Sequence, residues 1–140
     1  MKHTFFILIF MFSLSLFAQT GVYTLEPQNT DGTKIKWTLS LNSDGTFIYH
    51  FFRDIVGERN PEENFYGKGT WESKGKLVYF FANKSKDFDG KYTKNLNNSK
   101  ARITSKSPRD KSDRVVKTSI RFYDSELSEI TGLELFKKDI

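Results

Sequence analysis

The chain has no cysteine, three prolines and two histidines. Without cysteine there can be no disulfide, no thiol nucleophile, and no lipid anchor on an N-terminal cysteine. The thiolate ligands of most structural zinc sites are missing too. Beyond residue 18 the only imidazole is His50, with Asp54 and Glu58 close in sequence. That set falls short of the ligands a transition metal takes, so His50 is assigned a structural or surface role and no metal site is expected. Gly-x-Ser-x-Gly, His-Glu-x-x-His and phosphate-loop motifs are all missing. Glu62 and Glu63 are adjacent, so they would point apart on a strand and are expected in a solvated loop, neither of which suits chemistry needing two facing carboxyl groups. No catalytic residue and no cofactor is therefore assigned.

Strong charge of one sign is lacking as well. The net charge is +5 at pH 7, a mild excess that gives solubility and weak attraction to anionic surfaces. It is well below the footprint of a nucleic-acid binder, and no nucleic-acid partner is expected.

What the chain does have begins with its first eighteen residues. Lys2 precedes an unbroken apolar run over residues 5–12, and the small residue Ala18 precedes Gln19. That order of charge, apolar core and small residue is the pattern of a secretory signal. The apolar part is shorter than the roughly 20 residues a spanning helix needs. Cleavage after Ala18 is expected, leaving residues 19–140 as one exported domain, periplasmic or extracellular, with no transmembrane segment.

In that remainder, strand patterns alternate with turn residues. Ile35, Trp37, Leu39 and Leu41 alternate with Lys34, Lys36, Thr38 and Ser40, a period of two that marks a half-buried strand. Ser43-Asp44-Gly45 and Lys74-Gly75 read as tight hairpin turns. Strands are expected over residues 21–26, 33–42, 46–52, 67–73, 76–82, 91–96, 100–105, 115–123 and 132–137. Residues 53–66 and 107–113 read as loops, 97–98 as a turn, and 124–131 as a loop or one helical turn. The fold expected is all-β: an antiparallel meander of about eight strands, closed or partly open as a barrel, without a sustained helix.

The passages Leu39-Ser40-Leu41-Asn42-Ser43-Asp44-Gly45-Thr46-Phe47 and Gly67-Lys68-Gly69-Thr70-Trp71-Glu72, the latter leading to Lys76-Leu77-Val78-Tyr79-Phe80, follow an opening Gly21-Val22-Tyr23. Together they resemble the lipocalin-like small barrels exported by bacteria, nearest to the N-terminal domain of copper-resistance and envelope-stress lipoproteins. The leader ending in Ala18-Gln19 resembles those of the Bacteroidetes group. Those relatives carry an anchoring Cys and a Cys-x-x-Cys pair, and this chain has neither. The resemblance implies a barrel fold and transfers no functional residue.

The resemblance also implies an interior that can hold one small apolar ligand, and the aromatic residues supply candidates to line it: Trp37, Tyr49, Phe51, Trp71, Tyr79 and Phe81. The competing expectation is that these side chains simply fill the barrel. Asp87-Phe88-Asp89-Gly90 has the start of a calcium loop, but Lys91, Tyr92, Thr93 and Lys94 follow in place of further oxygen ligands, so a turn is expected. The basic stretch over residues 84–114 is a candidate for contact with anionic envelope surfaces, or a solvated set of hairpins. The function expected is an exported binding or interaction module of the bacterial envelope, its partner a small hydrophobic ligand or an envelope protein. The alternative is a structural or stress-related accessory protein that meets another protein or an anionic surface. A hydrolytic enzyme stands last, for want of any motif.

Overall fold

Eight strands follow one another along the chain and pair with their sequence neighbours. They are β1 (Gly21–Leu25), β2 (Lys34–Leu41), β3 (Thr46–Asp54), β4 (Glu62–Lys74), β5 (Leu77–Phe81), β6 (Lys100–Thr104), β7 (Ser119–Asp124) and β8 (Glu134–Lys137). Every pairing is antiparallel, and β8 returns to β1, so the sheet closes into a barrel. Among the described residues from Gly21 onward, the helical elements are α1 (Lys84–Asp87) and a 3₁₀ turn at Ser128–Ile130. The structure is a computed structural model that describes residues 19–59 and 61–139. The expected leader, residues 1–18, lies outside the described residues. Among them, no helix is long and apolar enough to cross a membrane.

Alternation sets the inside and the outside. Across β2, β3 and β4 the inward residues form registered rows: Ile35, Arg53 and Glu63; Trp37, Phe51 and Phe65; Leu39, Tyr49 and Gly67; Leu41, Phe47 and Gly69. The far wall contributes Val78, Phe80, Ala101, Ile103, Ile120, Phe122 and Leu135, all buried. Phe80 stands at the centre, 5.1 Å from the Phe47 ring and 5.2 Å from that of Phe122. Rings of this size each bury a large area and fill a small barrel with few residues.

Turn chemistry fixes the register. Ser43, Asp44 and Gly45 connect β2 to β3. Asp44 accepts hydrogen bonds from the Thr46 N–H (2.9 Å) and hydroxyl (2.6 Å), while Gly45 takes φ +86°. Between β4 and β5 only Gly75 and Lys76 intervene, with φ +58° at Gly75. This is the positive first position that a type II′ turn needs.

Three expectations are corrected. Residues 91–96 form no strand. A single parallel bridge joins Tyr92 to Tyr66, and the chain then turns Leu96 into the core. Leu96 occupies the space left by Gly67, where a methyl group would lie 2.9 Å from its Cδ1. The loop expected over residues 53–66 shrinks to 55–61, because β3 runs on to Asp54 and β4 begins at Glu62. Charged residues continue these strands where the barrel end meets water. Finally, β7 begins at Ser119 rather than at 115, and Val115 is 92% exposed.

Gly69 tests the packing. A Cβ there would meet the Phe81 carbonyl oxygen at 2.1 Å and the Phe47 ring at 2.9 Å, whereas Gly90 has open space. Gly69→Ala is expected to cost about 3 kcal/mol and Gly90→Ala less than about 0.5 kcal/mol, read from urea denaturation midpoints.

Candidate ligand site at the barrel mouth

The two ends of the barrel differ. At one end, the floor, lie the short turns 42–45 and 75–76, together with Gln19. The Gln19 side-chain amide donates to the Gly75 carbonyl, and the Gln19 backbone carbonyl accepts from the Tyr23 hydroxyl at 2.8 Å. The Trp71 indole, also near this end, donates to the Asn42 carbonyl at 3.0 Å. At the other end, the mouth, lie the connections 26–33, 55–61, 82–99 and 125–133. Two of these are tied together, since Lys94 and Glu129 form a 2.8 Å ion pair between the 82–99 and 125–133 segments.

Beneath that tie, the inner wall of β2, β3 and β4 presents a ladder of three rings. Trp37 and Phe51 stack with centroids 5.0 Å apart, and Phe51 and Phe65 with centroids 6.0 Å apart. All three are half-buried, unlike the fully enclosed layers below them. Two cations stand over the last ring: the Arg53 guanidinium at 5.6 Å and the Lys94 ammonium at 4.8 Å from the Phe65 centroid. Arg53 is paired with Glu63 at 2.8 Å on the rim.

Hydrogen bonding at this end is incomplete. Among the described residues three buried side-chain polar atoms lack a partner, and two of them, Tyr49 Oη and Arg53 Nε, belong to inward residues of β3. Both carry a hydrogen to donate. A buried donor without an acceptor costs about 1–3 kcal/mol, so its persistence calls for an explanation. Burial raises the Tyr49 pKa well above the usual phenol range. The nearby Glu129 charge raises it further, and the Trp37 indole opposes this slightly. Tyr49 thus stays a neutral O–H donor at all ordinary pH values.

The six residues predicted to line a ligand site divide into three groups. Trp37, Tyr49 and Phe51 come together at the mouth. Trp71 also points inward but near the floor, 2% exposed and packed in the core. Tyr79 and Phe81 are corrected: they lie on the outer wall, and Val78 and Phe80 take the inner positions. This strand is apolar on both faces, so alternation alone does not assign its sides. Turn arithmetic does, because a two-residue turn at Gly75 and Lys76 places Trp71 opposite Phe80. The missed mouth residues are Phe65, Arg53, Glu63, Lys94 and Glu129. The first three lay in the segment expected to be a loop, and the last two meet only through the tertiary fold.

The other candidates are placed as follows. His50 is on the outer wall, stacked on Tyr66 at 4.5 Å, with Nε2 2.8 Å from Asn64 Oδ1. Asp89 accepts the N–H groups of Lys91 and Tyr92, which lowers its pKa and builds the expected turn. No group of three or more metal-ligating side chains occurs among the described residues. The basic stretch is not gathered into one patch: Lys94 serves the mouth, Lys91 covers Tyr66 and Tyr92, Lys100 faces Asp124, and Arg114 pairs with Asp110. Comparison with known protein families, curated proteins and solved structures finds no match.

Two outcomes are expected for the buried phenols. Tyr49→Phe removes a buried hydroxyl whose hydrogen has no acceptor, so urea stability should hold or rise, by up to about 1 kcal/mol. Burial pushes the Tyr23 pKa up from 10.0 to about 12, and Tyr49 is raised as well. The folded state therefore keeps protons that the unfolded chain releases. The stability they contribute is full below pH 10 and is lost as pH rises toward 12. Urea midpoints should fall across that interval, and less steeply in Tyr49→Phe.

Proposed function

We propose that this protein is a small-molecule-binding module, an exported lipocalin-like barrel of the bacterial envelope that holds its ligand at the mouth. The observation that carries the reading is the pair of buried donors, Tyr49 Oη and Arg53 Nε, set beside a half-exposed ladder of three rings. An apolar or flat body lying on Trp37, Phe51 and Phe65 would bury the rings, and an acceptor oxygen on the same molecule would satisfy the donors. Binding pockets join these two features, an apolar wall and a few placed polar groups. The ligand class is therefore a small amphipathic molecule bearing a carboxylate or carbonyl oxygen.

The filled lower barrel supports a shallow site rather than a deep one. Phe47, Phe80 and Phe122 occupy the centre, which leaves the mouth as the place for a guest. Glu63 and Glu129 are each held in an ion pair, an arrangement suited to anchoring the rim rather than to proton transfer. Export is supported by the order of residues 1–18, a charge, an apolar run and a small residue.

Intrinsic fluorescence tests the proposal, because the chain has only two tryptophans. Titration with lauric acid and with an anilinonaphthalene sulfonate probe is expected to quench the wild-type emission saturably. The quench should be lost in Trp37→Phe, where only the core residue Trp71 still emits, and weakened about tenfold in Tyr49→Phe. An unaltered emission with both probes, or a quench that survives in Trp37→Phe, would overturn the reading.

A further inference from the structure

The outer wall of β5, β6 and β7, on the side of the barrel away from the ring ladder, carries an uncompensated pair of cations. Arg102 and Arg121 stand directly opposite each other in the β6–β7 ladder, and both are exposed. Like charges facing each other across an antiparallel pair repel. Of the described cations, four face a carboxylate: Arg53 has Glu63, Lys94 has Glu129, Lys100 faces Asp124, and Arg114 has Asp110. Among the described residues, neither Arg102 nor Arg121 has an ion pair or a side-chain hydrogen bond. Glu134 is opposite Arg121 on its other side, but its Oε1 accepts from the Ser119 hydroxyl at 2.8 Å and forms no ion pair with the arginine.

The two arginines line a surface groove of about 460 Å³ with Leu77, Thr104 and Tyr123. Leu77, Arg102 and Arg121 share one registered row. Thr104 adds a hydroxyl donor, and Tyr123 is 47% exposed. Guanidinium groups on neighbouring strands can close on one tetrahedral oxyanion from two sides, each with two N–H donors. Leu77 and Tyr123 leave an apolar edge for whatever bears the oxyanion.

The geometry points to a phosphate-binding site on the outer wall, formed by Arg102, Arg121 and Thr104, for a phosphate group carried on an organic stem. A bound dianion would convert the repulsion between the arginines into a bridge. The site is independent of the mouth and shares no residue with it.

The test uses inorganic phosphate, with chloride at matched ionic strength as the control, and follows both the melting temperature and the arginine Nε–H signals in NMR. Phosphate should raise the melting temperature saturably and move the Arg102 and Arg121 signals together. Arg102→Gln should weaken that response about tenfold. Without phosphate, this variant should be at least as stable as the parent, since a repulsion is removed. Tyr49→Phe should respond as the parent does. A response that never saturates, that chloride reproduces, or that persists in Arg102→Gln/Arg121→Gln would overturn the site. Vesicles of phosphatidylglycerol in phosphatidylcholine then identify the source. Retention of the parent but not of the double variant assigns a lipid headgroup, and no retention beside a saturable phosphate response assigns a soluble phosphate ester.

Discussion

The barrel is closed by its shortest ladder, and the interior depends on that closure. β1 and β8 share only the pairs Tyr23 with Lys137 and Thr24 with Phe136, reinforced by the Lys138 N–H donating to the Val22 carbonyl at 2.7 Å. Without the seam, β1 and β8 would each present a row of unpaired backbone groups to water or to another chain. Tyr23 sits at the seam with its ring fully buried and its hydroxyl on the Gln19 carbonyl. Gln19 in turn reaches Gly75 in the β4–β5 turn. One short relay therefore ties the closing strand to the opposite hairpin across the floor.

Most of the fold was legible in local pattern because hairpin physics is local. Ile35, Trp37, Leu39 and Leu41 do share the inner face, and Ser43-Asp44-Gly45 does turn the chain. The failures share a cause. Residues 91–96 alternate well enough to read as a strand, but Gly67 opens a slot that draws Leu96 inward and spends the segment as a cap. Arg53 and Glu63 read as loop residues because charge is rare inside a barrel. Here they extend two strands to a wet rim, where each neutralises the other.

The candidate site was half legible for the same reason. Trp37, Tyr49 and Phe51 follow from alternation once β2 and β3 are recognised, whereas Tyr79 and Phe81 needed the register of the next hairpin. The polar half, Lys94 with Glu129, joins residues on two separate connections, and no short-range signal marks such a pair. The arginine pair on the outer wall is similar. Each residue is an ordinary exposed strand position, and only the β6–β7 register makes them neighbours.

The strand directions have one more consequence. β1 starts and β8 ends on the floor side, with Gly21 beside the Lys137 side chain. Whatever is joined to the protein through Gln19 or through Asp139 is thus attached at the pole opposite the ring ladder. A support, a fusion or a second domain held there would lie on the side of the barrel away from Trp37, Phe51 and Phe65.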